Sequence, residues 1–225
     1  EVLSGEKIIS LAITEPGAGS DVANIRTRAE RRGGSFVVNG SKMFITSGMR
    51  ADYYTVAVRT GGPGAGGVSL LLIERNREGC ARTKLKKMGW WASDTAQLFF
   101  DNVKVPVENL IGEENRGLAC MFTMMNSARI AVGIQGAALG DAAYQKALAY
   151  SQERRQGREI GGDSKEPAFI ISHPDVRRML LFMRSHVEAM RALIVYNAAA
   201  LDLSRALDGD EATAWGEIAE LLTPV

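Results

Sequence analysis

Near Glu113 the sequence changes its period, and no other feature constrains the fold as strongly. From Leu118 to about Arg155 there is no proline, and apolar or small residues return at helical spacing: Leu118, Met121, Phe122, Met125, Ile130, Ile134, Ala137 and Ala138. Before Glu113 the pattern is different. Short runs rich in β-branched and aromatic residues occur at 7–13, 36–38, 43–46, 53–59, 68–73, 95–100 and 103–105. Asn39-Gly40, the glycine-rich stretch 61–67 and Asp101-Asn102 punctuate them. Asn39-Gly40 reads as a tight turn between two strands, and Asp101-Asn102 as another. Many short strands with frequent turn signals predict a barrel or sandwich.

The second half predicts helices. Ala128, Ala131, Gly133, Gly136 and Gly140 allow close packing, and the run is long enough for one bundle helix or for a break near 133–140. Residues 158–168 are polar and glycine-bearing, a loop. Ser172 is placed to cap a second helix with Pro174 in its first turn. That helix carries Val176, Met179, Leu180, Met183, Val187, Met190, Leu193 and Ile194 on one stripe, and runs to about Leu207. A third starts near Glu211, after Asp208-Gly209-Asp210. The methionines of this half read mostly as bundle core. The predicted organisation is an α+β chain: a β domain over residues 1–112, then the first helices of an antiparallel bundle over 113–225.

Composition excludes several classes. With 46% hydrophobic residues, a chain of 225 residues can bury a core, and 24% charged residues argue against general disorder. A net charge of +1 selects neither nucleic acid nor an anionic membrane. Cys80 and Cys120 have no zinc-site or redox spacing, which fits two reduced thiols in a cytoplasmic protein. No stretch reads as the roughly 18 apolar residues of a membrane span. Residue 1 is Glu rather than Met, and a helical pattern meets Pro224 at the other end, so a piece of a longer chain is expected.

Two loops stand out chemically. In Ile13-Thr14-Glu15-Pro16-Gly17-Ala18-Gly19-Ser20-Asp21, proline and glycines forbid a helix and let a ligand approach the backbone. It is neither the dinucleotide fingerprint nor a P-loop, and an ordinary Gly/Ser/Asp loop is the plainer alternative. In the second, Phe44-Ile45-Thr46 ends a strand at Ser47-Gly48, which places a hydroxyl at a strand end. Trp90 and Trp91 point to opposite faces if the backbone is extended, one into the core and the other at a core edge or cleft wall. Arg129, in a run of small residues with Asn126 one turn earlier, has either a salt-bridge partner or a ligand anion. Arg154 at a helix end serves either the helix dipole or a diphosphate. His173 and His186 form no metal pair, and no nucleophile elbow or triad assembles.

Taken in order, these segments resemble the acyl-CoA dehydrogenases. The first two marks are the run from Ile13 to Asp21 and Asn39-Gly40-Ser41-Lys42-Met43-Phe44-Ile45-Thr46. Then come Lys86-Lys87-Met88-Gly89-Trp90-Trp91-Ala92-Ser93-Asp94-Thr95 and Phe100-Asp101-Asn102-Val103-Lys104-Val105-Pro106. Arg129 and Tyr150-Ser151-Gln152-Glu153-Arg154 complete the series. The stretches 121–129 and 173–180 look similar to larger bacterial members acting on 3-(methylthio)propanoyl-CoA and related short acyl-CoAs. The resemblance implies a middle β domain followed by the start of the C-terminal four-helix domain, with the N-terminal helical domain and distal C-terminal region outside this sequence.

By the same resemblance the activity is FAD-dependent α,β-dehydrogenation of an acyl-CoA, with electrons passed to an electron-transferring flavoprotein and a homodimer or homotetramer as the assembly. Thr14 then looks like a contact to the flavin pyrimidine, and Gly19 and Ser20 like contacts near the FAD diphosphate and the CoA arm. Phe44 stands where the family commonly has a ring-shielding tryptophan, and Thr46 looks like the hydroxyl near flavin N5. Asn126 and Arg129 look like the CoA-binding pair, with Asn126 where an Asp is frequent. Arg154 looks like the arginine reaching a neighbouring subunit's FAD, although Arg155-Gln156-Gly157-Arg158 departs from the usual sequence after it. The family's catalytic glutamate falls beyond this sequence, and its alternative position is Ala128, so no catalytic residue is named and the segment alone is expected to be inactive. Asp94 is a nominal base that nothing favours. The alternatives are an acyl-CoA or nitroalkane oxidase, a non-dehydrogenase flavin-binding homologue, and a DNA-associated relative that would need a strongly basic C-terminal region. Neither a metal nor nucleic acid is expected.

Overall fold

The computed structural model describes residues 1–224. The chain divides into two compact units, Glu1–Thr123 and Met124–Val225. The first is built on one mixed eight-stranded sheet. Its strands are β1 (Ile9–Ala12), β2 (Arg28–Arg32), β3 (Ser35–Thr46), β4 (Tyr53–Arg59), β5 (Val68–Glu74), β6 (Cys80–Lys84), β7 (Thr95–Pro106) and β8 (Leu110–Ile111). The order is β6-β7-β3-β2-β4-β5-β8, with β1 parallel to β4 off this path.

The sheet rolls over one apolar cluster. Phe36, Val38 and Ile45 of β3, Leu98 and Val103 of β7, and Val56, Leu71 and Ile73 of β4 and β5 all belong to it. β-branched and aromatic residues at alternate positions give these strands a buried face, and burial of each such side chain contributes about 1.5–3 kcal/mol. In a smaller cluster, Ile13, Ala18 and Val22 of the segment that follows β1 pack against Ile25, Ala57, Val68 and Leu70.

Two expected turns are absent. Asn39-Gly40 lies inside a continuous 12-residue β3, and Asp101-Asn102 lies inside an equally continuous β7. The β2–β3 hairpin instead closes at Gly33-Gly34, where Arg32 pairs with Ser35. β3 is paired on both sides, with β2 and with β7, so it cannot fold back at residue 39. The turn-forming residues serve irregularities instead. Val38 pairs with Val103 and Gly40 with Phe100, which leaves one extra residue on β7. Asn102 takes it up at φ 52, and Asn39 and Asn102 hydrogen-bond each other. A second shift, between Lys42 and Ile45, puts the extra residue on β3.

α1 (Gly117–Glu153) is a single helix, the unbroken one of the two expected alternatives. It contains an 18-residue window of mean hydropathy 1.3 and is long and apolar enough to cross a membrane by length and composition alone. That corrects the expectation that no such stretch exists. In the second unit, α2 (Pro174–Ala206) packs on α3 (Gly209–Leu222), with Val187, Asn197, Ala200 and Ala219 buried. Ser172 does not cap α2: His173 holds the N-cap position, and the Ser172 hydroxyl donates to the Phe169 carbonyl. Of the methionines Met121 is buried, whereas Met124, Met179 and Met190 are exposed.

Candidate flavin and thioester site

The loop after β1 is held by a buried ion pair. Lys42 points inward from β3, fully buried, and its ammonium donates to the Ile13 carbonyl at 2.8 Å and to Glu15 Oε1 at 2.8 Å. The Glu15 carboxylate also accepts the N–H groups of Arg26 at 2.7 Å and Thr27 at 2.9 Å. Backbone bonds between Glu15 and Ala18 close a tight turn over Pro16 and Gly17. From β3, the Met43 N–H donates to the Thr14 carbonyl at 2.8 Å. Thr14 is therefore fixed on both flanks and through its own carbonyl. Among the described residues its N–H and hydroxyl have no partner, and neither have the amides of Gly19, Ser20 and Asp21. Gly19 lies against Thr14, its position for a Cβ 3.6 Å from the Thr14 methyl.

The end of β3 borders this loop. Phe44 absorbs the second irregularity at φ 62 and is 64% exposed. A bulky residue in the left-handed region is costly, of order 1–3 kcal/mol, and such conformations gather at functional sites. Thr46 is exposed, and its carbonyl accepts the Ser10 hydroxyl. The turn beyond it is tied down by the residue before β7. Asp94 accepts the Met49 N–H at 2.8 Å and approaches the Arg50 guanidinium at 3.3 Å, and its carbonyl accepts the Ser47 N–H. Tyr54 donates to the Gly48 carbonyl at 2.6 Å. Gly48 has no room for a side chain: a Cβ would stand 2.7 Å from the Ala96 Cβ and 2.9 Å from the Ile45 carbonyl. Asp94, the nominal base, is thus committed to holding a turn.

Burial pushes the Lys42 ammonium down to about 8, although pairing with Glu15 opposes the shift. Burial alone would raise Glu15, but the hydrogen bonds and charge of Lys42, with the bonds from Thr27 and Arg26, hold it below the usual carboxylate range. Both groups are therefore charged at neutral pH.

Thr14, Gly19, Ser20, Phe44 and Thr46 all lie in the first unit, and the Met43–Thr14 bond joins their two segments. Asn126, Arg129 and Arg154 lie in the second unit, and all three are exposed. Trp90 and Trp91 are 79% and 77% exposed, so neither is core; Trp90 at φ 56 interrupts the extended backbone that would have opposed them. His173 uses Nε2 on the Gln156 carbonyl. No group of three metal-ligating side chains occurs among the described residues. Sequence reasoning missed the roles of Lys42, Glu15 and Ser10. The available signal was Lys42 itself, a charge at a position that alternation turns inward.

With this geometry, residues 10–103 match the acyl-CoA dehydrogenase middle domain and residues 115–215 match the acyl-CoA dehydrogenase C-terminal domain. The chain belongs to the acyl-CoA dehydrogenase family. Among its relatives is the 3-methylmercaptopropionyl-CoA dehydrogenase of Ruegeria pomeroyi, 37% identical over 244 residues that cover 100% of this chain and 41% of that protein. A solved probable acyl CoA dehydrogenase from Mycobacterium abscessus superposes with a TM-score of 0.75 at 42% identity, covering 99% of this chain and 56% of the other. A solved structure described as an electron transferring flavoprotein of Acidaminococcus fermentans contains a chain matched with a TM-score of 0.73 at 30% identity, covering 97% and 55%. The chain thus spans less than two thirds of each of these relatives.

Proposed function

We propose that the protein carrying this chain dehydrogenates an acyl-CoA thioester between its α and β carbons, using FAD and passing the electrons to an electron-transferring flavoprotein. One observation carries the reading: donors without partners among the described residues, from Thr14 and the amides of residues 19–21, lie on a loop that the Met43–Thr14 bond joins to the strand exposing Phe44 and Thr46. Unpaired backbone and hydroxyl donors on a loop suit a heteroaromatic edge and an anionic diphosphate. FAD, when bound, supplies the two-electron acceptor that no side chain provides.

The chain's own residues bind, orient and exclude water. Thr14 offers its N–H and hydroxyl to the pyrimidine edge. Phe44 covers the ring against solvent, and Thr46 presents a hydroxyl at the strand end. The Gly19 and Ser20 amides take anionic oxygens of the diphosphate or of the CoA arm. Asn126 and Arg129, one helical turn apart, are assigned to the CoA portion. Arg154 is assigned to a neighbouring subunit's cofactor in a homo-oligomer, where a guanidinium matches a diphosphate. α1 lies within the matched C-terminal domain and is read as a helix of that domain. The likeness to the Ruegeria enzyme supports a short acyl-CoA such as the 3-(methylthio)propanoyl thioester as substrate.

The test is cofactor binding by the protein as its gene encodes it. FAD is expected to co-purify or to bind on titration, and Thr14→Val is expected to weaken it about tenfold, the worth of one lost hydrogen bond to the ring. A correctly folded protein that takes up no FAD overturns the reading.

A further inference from the structure

We propose that the buried Lys42–Glu15 pair is a positioning device that sets Thr14 and Phe44 together at the flavin site. The inference rests on the functional reading above. It begins with a cost: a lysine at 0% side-chain exposure and a glutamate at 6% have both left water. Such pairs contribute little net stability, because desolvation offsets their attraction, and an apolar pair of similar volume often serves as well. What an apolar pair lacks is direction.

Direction is what this arrangement supplies. Lys42 Nζ donates at once to the carbonyl before Thr14 and to the side chain after it, each at 2.8 Å. Glu15 passes the constraint on, through two amides, to Arg26 and Thr27. Lys42 is also the last paired residue before the β3 irregularity: it faces Leu98, the next partners are Ile45 and Ala96, and Phe44 between them stands at φ 62. In the same interval, Met43 grips the Thr14 carbonyl. One side chain therefore ties the loop that offers donors to the strand that offers the aromatic cover. Neither Lys42 nor Glu15 is exposed to a ligand, so both are positioning residues that act through Thr14 and Phe44.

The experiment compares Lys42→Met and Glu15→Gln with the parent in the full protein. Four quantities are read: thermal midpoint, FAD affinity by flavin fluorescence, visible circular dichroism of the bound flavin, and anaerobic flavin reduction at varied butanoyl-CoA. Lys42→Met is expected to weaken FAD binding about tenfold and alter the flavin dichroism. Reduction at saturation should slow by about 100-fold, the loss that a misplacement of roughly 1 Å produces, with the half-saturating thioester concentration changed far less. Glu15→Gln, which keeps shape and one acceptor, should move every readout the same way by less. A lowered midpoint with parental affinity, dichroism and reduction rate would make the pair structural only and overturn the proposal. If Lys42→Met fails to fold, Glu15→Gln decides by the same readouts. A parent that binds no FAD refutes the functional reading itself, before either variant is compared.

Discussion

Replacing Gly40 by alanine probes the register that directs Lys42 inward and brings Phe44 to the surface. Gly40 adopts φ +147, which L side chains rarely adopt. An added Cβ would stand 2.6 Å from Thr27 Oγ1, 2.7 Å from Thr27 Cα and 2.8 Å from Thr27 Cβ. Thr27 has little freedom to yield. It is buried, its N–H is held by Glu15, its carbonyl accepts the Arg59 N–H at 2.7 Å, and its hydroxyl donates to the Ser41 carbonyl at 3.2 Å. Backbone strain contributes about 1–3 kcal/mol and overpacking against an unyielding neighbour about as much again, so a loss of roughly 4 kcal/mol is expected. That is a large part of the ~5–15 kcal/mol by which a domain is stable. Gly66→Ala is the control. A Cβ there meets nothing within 4 Å and the backbone is not in the left-handed region, so the change should stay within about 0.5 kcal/mol. Urea unfolding followed by tryptophan fluorescence measures both. Were Asn39-Gly40 an open hairpin turn, the added Cβ would meet no neighbour and Gly40→Ala would cost only the backbone strain, about 1–2 kcal/mol. A measured loss that small refutes the bulge account.

Two further outcomes follow from the site. The folded Lys42 value of about 8 lies below its ordinary 10.5, so between those pH values the unfolded chain holds a proton the folded chain has released, and this group's contribution to stability rises with pH. Glu15 has the opposite window: its contribution is present above its ordinary 4.5 and is lost as pH falls through its lowered folded value. Urea midpoints against pH should show the alkaline rise vanish in Lys42→Met, and the gap between parent and Glu15→Gln close in acid. Separately, Asp94→Ala removes the acceptor of the Met49 N–H and should cost about 2 kcal/mol. Asp94→Asn should cost less than about 1 kcal/mol, because Arg50 is largely exposed and an exposed pair contributes little. In Asp94→Asn the pH profile of flavin reduction should not change, since Asp94 holds a turn; a shifted profile would reinstate it as a base.

What was legible in the sequence was what local chemistry decides. The run at 53–59 is β4, and the helical period after Leu118 is α1. β2 and β6 were not legible. Their sequences, Arg-Ala-Glu-Arg-Arg and Cys-Ala-Arg-Thr-Lys, have mostly exposed side chains, so pairing with β3 and β7 creates these strands without an apolar signal. Asn39-Gly40 misled because a positive-φ residue suits a bulge as well as a turn, and only the partners on both sides of β3 distinguish them. The candidate site was visible as two loops, since proline, glycine and hydroxyl residues announce an unusual backbone. Its support was not. Glu15 lies inside the recognised run, yet its work is to grip Lys42 and two amides 11 and 12 residues away, which is tertiary information.

One anaerobic mixing experiment on the full protein with bound flavin tests whether it dehydrogenates an acyl-CoA. It is mixed with 3-(methylthio)propanoyl-CoA, butanoyl-CoA or octanoyl-CoA while the visible flavin absorbance and the thioester products are followed. Rapid bleaching is expected, with one enoyl-CoA formed per flavin reduced, fastest with a short acyl chain. Bound FAD that stays oxidised with every thioester, or bleaches without forming an enoyl-CoA, would contradict the proposed dehydrogenation.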